Sequence, residues 1–251
     1  MGGMSNAALF TTVAREYAAF RPRYPRELFA WLAQMAPATE AAWDCGCGSG
    51  QASTALAEFF STVHATDVAA EQVAAANPDP RVVYSVAPAE KSGLPAACVD
   101  LVTVAQALHW FDVPAFYAEA QRVARPGALL AVWNYPRPRF VDAKLDGLFL
   151  EFYGGVVGPY WPPERRHIEA NYTTLPFPFE ELPHPEFGLT LEWSLEQVLG
   201  YVSSWSATTR YRKDRGDDPV PQLRASLQPQ WPSSGIASLR MPVGLRAARL
   251  A

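Results

Sequence analysis

Two acids and a glycine loop carry the clearest chemistry in this chain of 251 residues. The loop reads Asp44-Cys45-Gly46-Cys47-Gly48-Ser49-Gly50. Alternating glycines let a backbone turn sharply and pass close to a ligand. A dinucleotide fingerprint needs glycine or alanine where Gln51 stands, and a phosphate-cradling loop needs a Gly-Lys-Ser/Thr ending that is absent. The loop carries no cation to meet a pyrophosphate. Asp44 adds negative charge, which suits a cationic or amino-bearing ligand. Asp67 closes the next apolar run, and a carboxylate there can accept both hydroxyls of a ribose in charge-assisted bonds of about 1.5–3 kcal/mol each. It repels a 2′-phosphate. Farther on, His109 stands beside Trp110, where an imidazole suits a general base or a donor to a substrate.

These residues need elements to hold them. Leu28, Phe29, Trp31, Leu32 and Met35 recur at helical spacing, so Pro25 to Ala36 reads as a helix with proline in its first turn. Ala41 to Trp43 is a short strand entering the glycine loop, and Ala52, Ala55, Leu56, Phe59 and Phe60 mark the helix leaving it. Val63 to Thr66, Val82 to Val86, Val99 to Ala105 and Ala128 to Trp133 are further strands. Helices fall near Ala70 to Ala76 and Val113 to Ala124, the second stopped by Arg125-Pro126-Gly127. Val99 to Ala105 is almost wholly apolar, as expected of a strand buried on both faces. Apolar runs alternating with helices predict an α/β doubly wound, mostly parallel sheet, whose ligands bind at the carboxyl ends of the strands. Beyond Tyr135 the chain is richer in proline and aromatics. There Ala143 to Tyr153 and Ser194 to Ser204 read as helices, the second with Ser194 as N-cap. Phe187 to Trp193 and the stretch from Ile236 to Leu250 read as strands. The expected organisation is residues 1–135 as a core with an N-terminal helical segment, then 136–251 as a helical lid and the last two strands of the same domain.

Composition narrows the function. Apolar residues make up 49% and charged residues 18%, which excludes a mainly disordered chain. The net charge is −4, so no basic field draws nucleic acid. The longest run without Asp, Glu, Lys or Arg, Ala225 to Leu239, is broken by proline and serine and is no membrane span. The start of the chain lacks the basic and apolar regions of a signal peptide. Cys45, Cys47 and Cys98 form no metal-ligand pattern, so a reduced, cytoplasmic protein without metal is expected.

The ordered set of motifs resembles class I S-adenosylmethionine-dependent methyltransferases, and more narrowly the small-molecule branch that includes trans-aconitate methyltransferase. The glycine loop resembles that family's first motif. Tyr17 with Arg21-Pro22-Arg23-Tyr24-Pro25 resembles its N-terminal segment. Gln106-Ala107-Leu108-His109-Trp110-Phe111-Asp112 resembles its segment after strand four, and Arg125-Pro126-Gly127-Ala128 its turn before strand five. Ser204-Trp205-Ser206-Ala207 resembles a stretch of its lid. The resemblance implies a Rossmann-like sheet of seven strands with the last antiparallel. S-Adenosyl-L-methionine is the implied cofactor and S-adenosyl-L-homocysteine the product. Backbone at Gly46, Cys47, Gly48 and Gly50 is implied to meet its amino-acid part, with Asp44 beside them. Asp67 and Val68 are implied at the ribose, Ala89 and Glu90 near the adenine, and Arg21, Tyr24, Ala105 and Gln106 around the same ligand. Pro88 departs from the family's small polar residue there.

A sulfonium methyl is already activated, so such an enzyme has mainly to position the acceptor and exclude water. Trp110 and Tyr24 are candidates to face the cation, and His109 with Trp110 to position the acceptor. Tyr135, Trp205 and Arg210 are substrate candidates, with Arg137, Arg139, Arg165, Arg166 and Arg212 as further cations for an acidic one. The expected partner is a small molecule, plausibly a carboxylic acid forming a methyl ester. A carboxylate needs no base at neutral pH, whereas an alcohol, phenol or carbon acid does, so the role of His109 turns on the substrate. Two other readings stand beside this one: a catalytically silent cofactor-binding module acting through protein partners, and methyl transfer to a phenol, alcohol or carbon acceptor. Neither the acceptor nor the oligomeric state follows from the sequence.

Overall fold

The computed structural model describes residues 22–250. Helix α1 (Arg26–Met35) begins at Pro25 and buries Leu28, Phe29 and Leu32. Strand β1 (Ala41–Cys45) is wholly buried and leads through the glycine loop into α2 (Gln51–Leu56). Then come β2 (Thr62–Asp67), α3 (Ala70–Ala74), β3 (Val82–Val86) and β4 (Val99–Ala105). Helix α4 (Val113–Val123) is capped by Asp112, whose carboxylate accepts the Ala115 N–H. Strand β5 (Ala124–Asn134) follows at once. The remaining elements are β6 (Arg139–Phe140), α5 (Ala143–Glu151), α6 (Arg165–Glu169), β7 (Phe187–Ser194), α7 (Leu195–Ser203), α8 (Ser206–Arg215), α9 (Val220–Leu227) and β8 (Ile236–Arg249). No helix among the described residues is long and apolar enough to cross a membrane.

The chain forms two compact units. The larger holds Arg23–Pro136, Arg166–Gly188 and residues 242–250. Its strands run β3-β2-β1-β4-β5-β8, the first five parallel and β8 antiparallel to β5. This is the expected doubly wound order with an antiparallel final strand. Trp43, Val102, Val132 and Phe116 are buried between the sheet and α4, with Tyr172 in the same cluster. The smaller unit includes Arg137–Arg165 and Leu189–Met241. There Asp142 caps α5 through the N–H groups of Lys144 and Leu145. Ser194 and Gln197 cap α7 reciprocally, as the Ser-x-x-Gln spacing requires.

Three details differ from the sequence reading. The sheet has eight strands instead of seven, because the two-residue β6 pairs with β8. Arg125-Pro126-Gly127 does not separate helix from strand. Strand β5 starts at Ala124, and its register against β4 slips between Val99 and Leu101, with Gly127 at φ +76° in the slip. Two further helices, α8 and α9, lie between α7 and β8, where the sequence reading placed none.

Candidate cofactor and substrate site

The glycine loop is shaped by its neighbours. Gly46 has φ +70°, and a Cβ there would come within 2.6 Å of the Ala107 Cβ. Gly50 has φ +84°, and a Cβ there would overlap the Tyr84 hydroxyl. At these two glycines a protein side chain fills the place that a Cβ would take. Gly48 is the open one: a Cβ there would meet nothing closer than Gln72 Oε1 at 3.8 Å. The loop's donors are mostly spent internally. Gly46 and Cys47 N–H groups donate to the Thr66 carbonyl at 2.8 and 3.0 Å, and Gly50 N–H donates to the Cys47 carbonyl. Gly48 N–H donates to Asp67 Oδ2 at 2.8 Å. A loop with its N–H groups so engaged cannot cradle a pyrophosphate, in keeping with a cationic ligand.

The two acids have different roles. Asp44 lies within β1 and has no exposed surface. The sequence reading sets it beside the glycine loop as part of the cradle. Its carboxylate sits beneath the loop, where Ser53 Oγ donates to Oδ2 at 2.6 Å and Thr103 Oγ1 to Oδ1 at 3.1 Å. Burial lifts its pKa to about 6 in spite of those two hydroxyls. Asp67, at the end of β2, is partly exposed. Its Oδ2 takes the Gly48 N–H and its Oδ1 the Ala69 N–H, each at 2.8 Å. Each oxygen keeps a second lone pair for a hydroxyl. Val68, beside it, is 73% exposed, an apolar surface next to an acid as a nucleoside requires.

Around these, Ala89 is buried and Glu90 accepts the Asp112 N–H at 2.9 Å, tying the β3 loop to the start of α4. Cys47 is buried and its thiol pKa is driven far up by that burial, so it is inert; Cys45 behaves alike. Ala105 ends β4. Gln106, at φ +61°, donates its N–H to the Trp133 carbonyl and its Nε2 to the Tyr135 carbonyl, while its Oε1 is buried without a partner. Tyr24 packs against Phe29, Trp133 and Tyr135, the last with ring centroids 5.7 Å apart. Tyr135 is buried. Arg21 and Tyr17 lie outside the described residues.

His109 sits in a single helical turn, Leu108–Trp110, after β4. Its Nδ1 lies 3.1 Å from the Tyr172 hydroxyl, and the Trp110 ring, 58% exposed, is 4.7 Å away. The contact between Tyr172 and His109 joins residues 63 positions apart and leaves no local signal. Asn171 and Tyr172 both have positive φ, +48° and +60°, which fixes the direction of the phenol. Trp205 and Arg210 belong to the smaller unit. Trp205 is buried among Phe149, Tyr153, Trp161 and Tyr201, and Arg210 is exposed on α8.

The sheet sets the glycine loop after β1, the acid that closes β2 and the histidine after β4 at the carboxyl ends of its parallel strands. Residues 43–132 match the methyltransferase domain family. A provisionally assigned methyltransferase of Dictyostelium discoideum is 33% identical over 221 residues, spanning 87% of this chain and 84% of that protein. An uncharacterized methyltransferase of Mycobacterium tuberculosis is 30% identical over 243 residues, 95% of this chain and 94% of the other. A solved structure provisionally named a type II methyltransferase, from Anaeromyxobacter dehalogenans, is 47% identical, covers 92% of this chain and 98% of its own, and superposes with a TM-score of 0.85. The chain belongs to the class I S-adenosylmethionine-dependent methyltransferases, and S-adenosyl-L-methionine is its cofactor. The residues present fit that ligand. Asp67 has lone pairs to spare for a ribose, Val68 offers an apolar face, and the orphaned Gln106 Oε1 is an acceptor suited to an ammonium.

Proposed function

We propose that the protein methylates a hydroxyl oxygen of a small molecule, with His109 taking the proton. The observation that carries this is the His109–Tyr172 contact at 3.1 Å. In the tautomer that donates Nδ1–H to the phenol oxygen, the Nε2 lone pair is a base held in one orientation. When bound, the cofactor supplies a methyl group activated on a sulfonium. The chain's own residues then have two tasks. Gly48, Asp67, Val68 and Gln106 hold the donor, and His109 with Trp110 holds the acceptor and removes its proton as the new O–C bond forms.

The carboxylic-acid reading needs cations to hold the rest of an acidic substrate. Three of the six candidate arginines are engaged. Arg137 bonds Asp146 at 2.8 Å, and Arg212 pairs with Asp218 at 3.0 Å. Arg165 donates to the Tyr153 hydroxyl and stacks 4.5 Å over Trp161. A neutral hydroxyl acceptor makes no such demand.

The chemistry of the product tests the reading. S-Adenosylhomocysteine release is measured with a pool of phenols and alcohols and with a pool of carboxylic acids. The hydroxyl pool is expected to turn over, and the methylated product to survive mild alkali. A product that loses methanol in alkali is an ester and sinks the proposal. His109→Ala is expected to cut turnover well over tenfold while cofactor affinity stays within about twofold, on the scale of a lost general base.

A further inference from the structure

Of the buried side-chain polar atoms without a partner among the described residues, both the Nδ2 and the Oδ1 of Asn134 are members. Asn134 is the last residue of β5 and has no exposed surface. A buried carboxamide with both ends unpaired is costly, and a sheet does not need one there. Its place in the sheet says what it faces. Side chains alternate along a strand. Leu130 and Val132 join the cluster that holds Leu108 and Tyr172, so Asn134 projects to that face. Trp133 projects to the other, against Tyr24 and Phe29. The carboxamide therefore stands at the ligand-binding end of β5, on the side where Tyr172 bonds His109. Its register partner on β8 is Gly244. The Asn171 side chain lies over that glycine, where a Cβ would come within 2.5 Å of Asn171 Oδ1.

We propose that Asn134 is a substrate-recognition residue, reading a second, neutral polar group on the methyl acceptor that both donates and accepts hydrogen bonds. This rests on the reading of the site as a small-molecule methyltransferase. The chemistry of the carboxamide limits the ligand class. Its Oδ1 faces a carboxylate unfavourably, and its Nδ2 does the same to an ammonium. A hydroxyl or a primary amide satisfies both atoms at once. Tyr172 and Leu108 on the same face, with the Trp110 ring beside His109, make a ring-bearing acceptor the natural fit. Asn134 thus selects the acceptor, and His109 takes its proton.

The test uses protein saturated with S-adenosylhomocysteine, with benzamide, phenol and benzoate as probes in calorimetry or ligand-observed NMR. The wild type is expected to bind benzamide and phenol more tightly than benzoate. Asn134→Leu, which fills the same volume without polar atoms, is expected to weaken benzamide binding at least tenfold. It should also leave S-adenosylhomocysteine affinity within twofold and raise Tm, because an unpaired buried amide is removed. Equal benzamide binding by wild type and variant overturns the proposal, as does failure of the wild type to bind any probe. A lowered Tm also overturns it, since the carboxamide then has structural partners such as a buried water. If Asn134→Leu does not fold, Asn134→Ala is read by the same binding criteria. S-Adenosylhomocysteine affinity and the alkali stability of the product judge the methyltransferase reading separately, and they stand or fall without Asn134.

Discussion

Under the glycine loop the larger unit fills its space with short polar groups: Ser53 and Thr103 close on the buried Asp44, and the Trp43 indole donates to Thr66 Oγ1 at 2.9 Å. The smaller unit fills its centre with rings. Trp205 meets Phe149, Tyr153, Trp161 and Tyr201 with centroids 5.3–5.7 Å apart. The difference is one of tolerance. A hydrogen-bonded carboxylate under a strained loop fixes atom positions, because each unpaired polar atom is costly in the interior. An aromatic cluster accepts many shapes at similar energy, because dispersion and burial have no strict direction. The first suits an invariant ligand such as a cofactor. The second suits a part of the fold that adapts to one substrate or another.

Trp205→Ala offers the strongest way to break this contrast. Removing the ring should cost about 3–5 kcal/mol of stability, read by denaturant unfolding. Calorimetry should show S-adenosylmethionine affinity unchanged; a parallel loss of affinity would mean that the rings also serve the cofactor. Asp67→Ala is the mirror experiment. Cofactor affinity should fall by about 2–4 kcal/mol, from two lost charge-assisted bonds, while unfolding shifts little. Unaltered affinity would remove Asp67 from the ribose site.

Asp44→Asn sharpens the comparison through pH. The native pKa of about 6 lies above the ordinary 3.8, so the folded state binds this proton more tightly than the unfolded state. Its contribution is therefore fully present below pH 3.8 and is lost as pH rises through about 6. At pH 7 the asparagine variant should be more stable than the wild type by up to about 3 kcal/mol, the free energy of holding an ionised carboxylate where the protonated form is preferred. The gap should close below about pH 4, where the native carboxyl is already protonated. Because other carboxylates oppose this trend, the variant-minus-wild-type difference is the quantity to follow. A gap that stays constant across that range would show that the carboxylate is not held as the structure places it.

Much of the larger unit is legible in the chain. Strands β1 and β4 fall where apolar runs stand, since a strand buried on both faces is built mostly of apolar residues. The start of β5 is not legible. Arg125-Pro126-Gly127 has the composition of a turn, and only pairing with β4 and β8 draws it into a strand. Helices α8 and α9 escape the sequence reading for another reason. Ser206–Arg215 has no apolar stripe, and Val220–Leu227 is only 8 residues long, too short to show one clearly. In the site, the glycines and acids stand out by type and spacing. Ser53, Thr103 and Tyr172 do not, because serine, threonine and tyrosine are common and their partners lie far along the chain.

The sequence by itself determined the strand–loop–helix order and, through its resemblance to a known family, the cofactor. The order is a local property, dictated by runs of apolar residues. Tertiary structure alone decided that Asp44 is buried and Asp67 partly exposed, that Tyr172 lies against His109, and that the Asn134 carboxamide is left without partners among the described residues. Each of these depends on which strands lie side by side, and sheet pairing brings together residues that no local pattern connects.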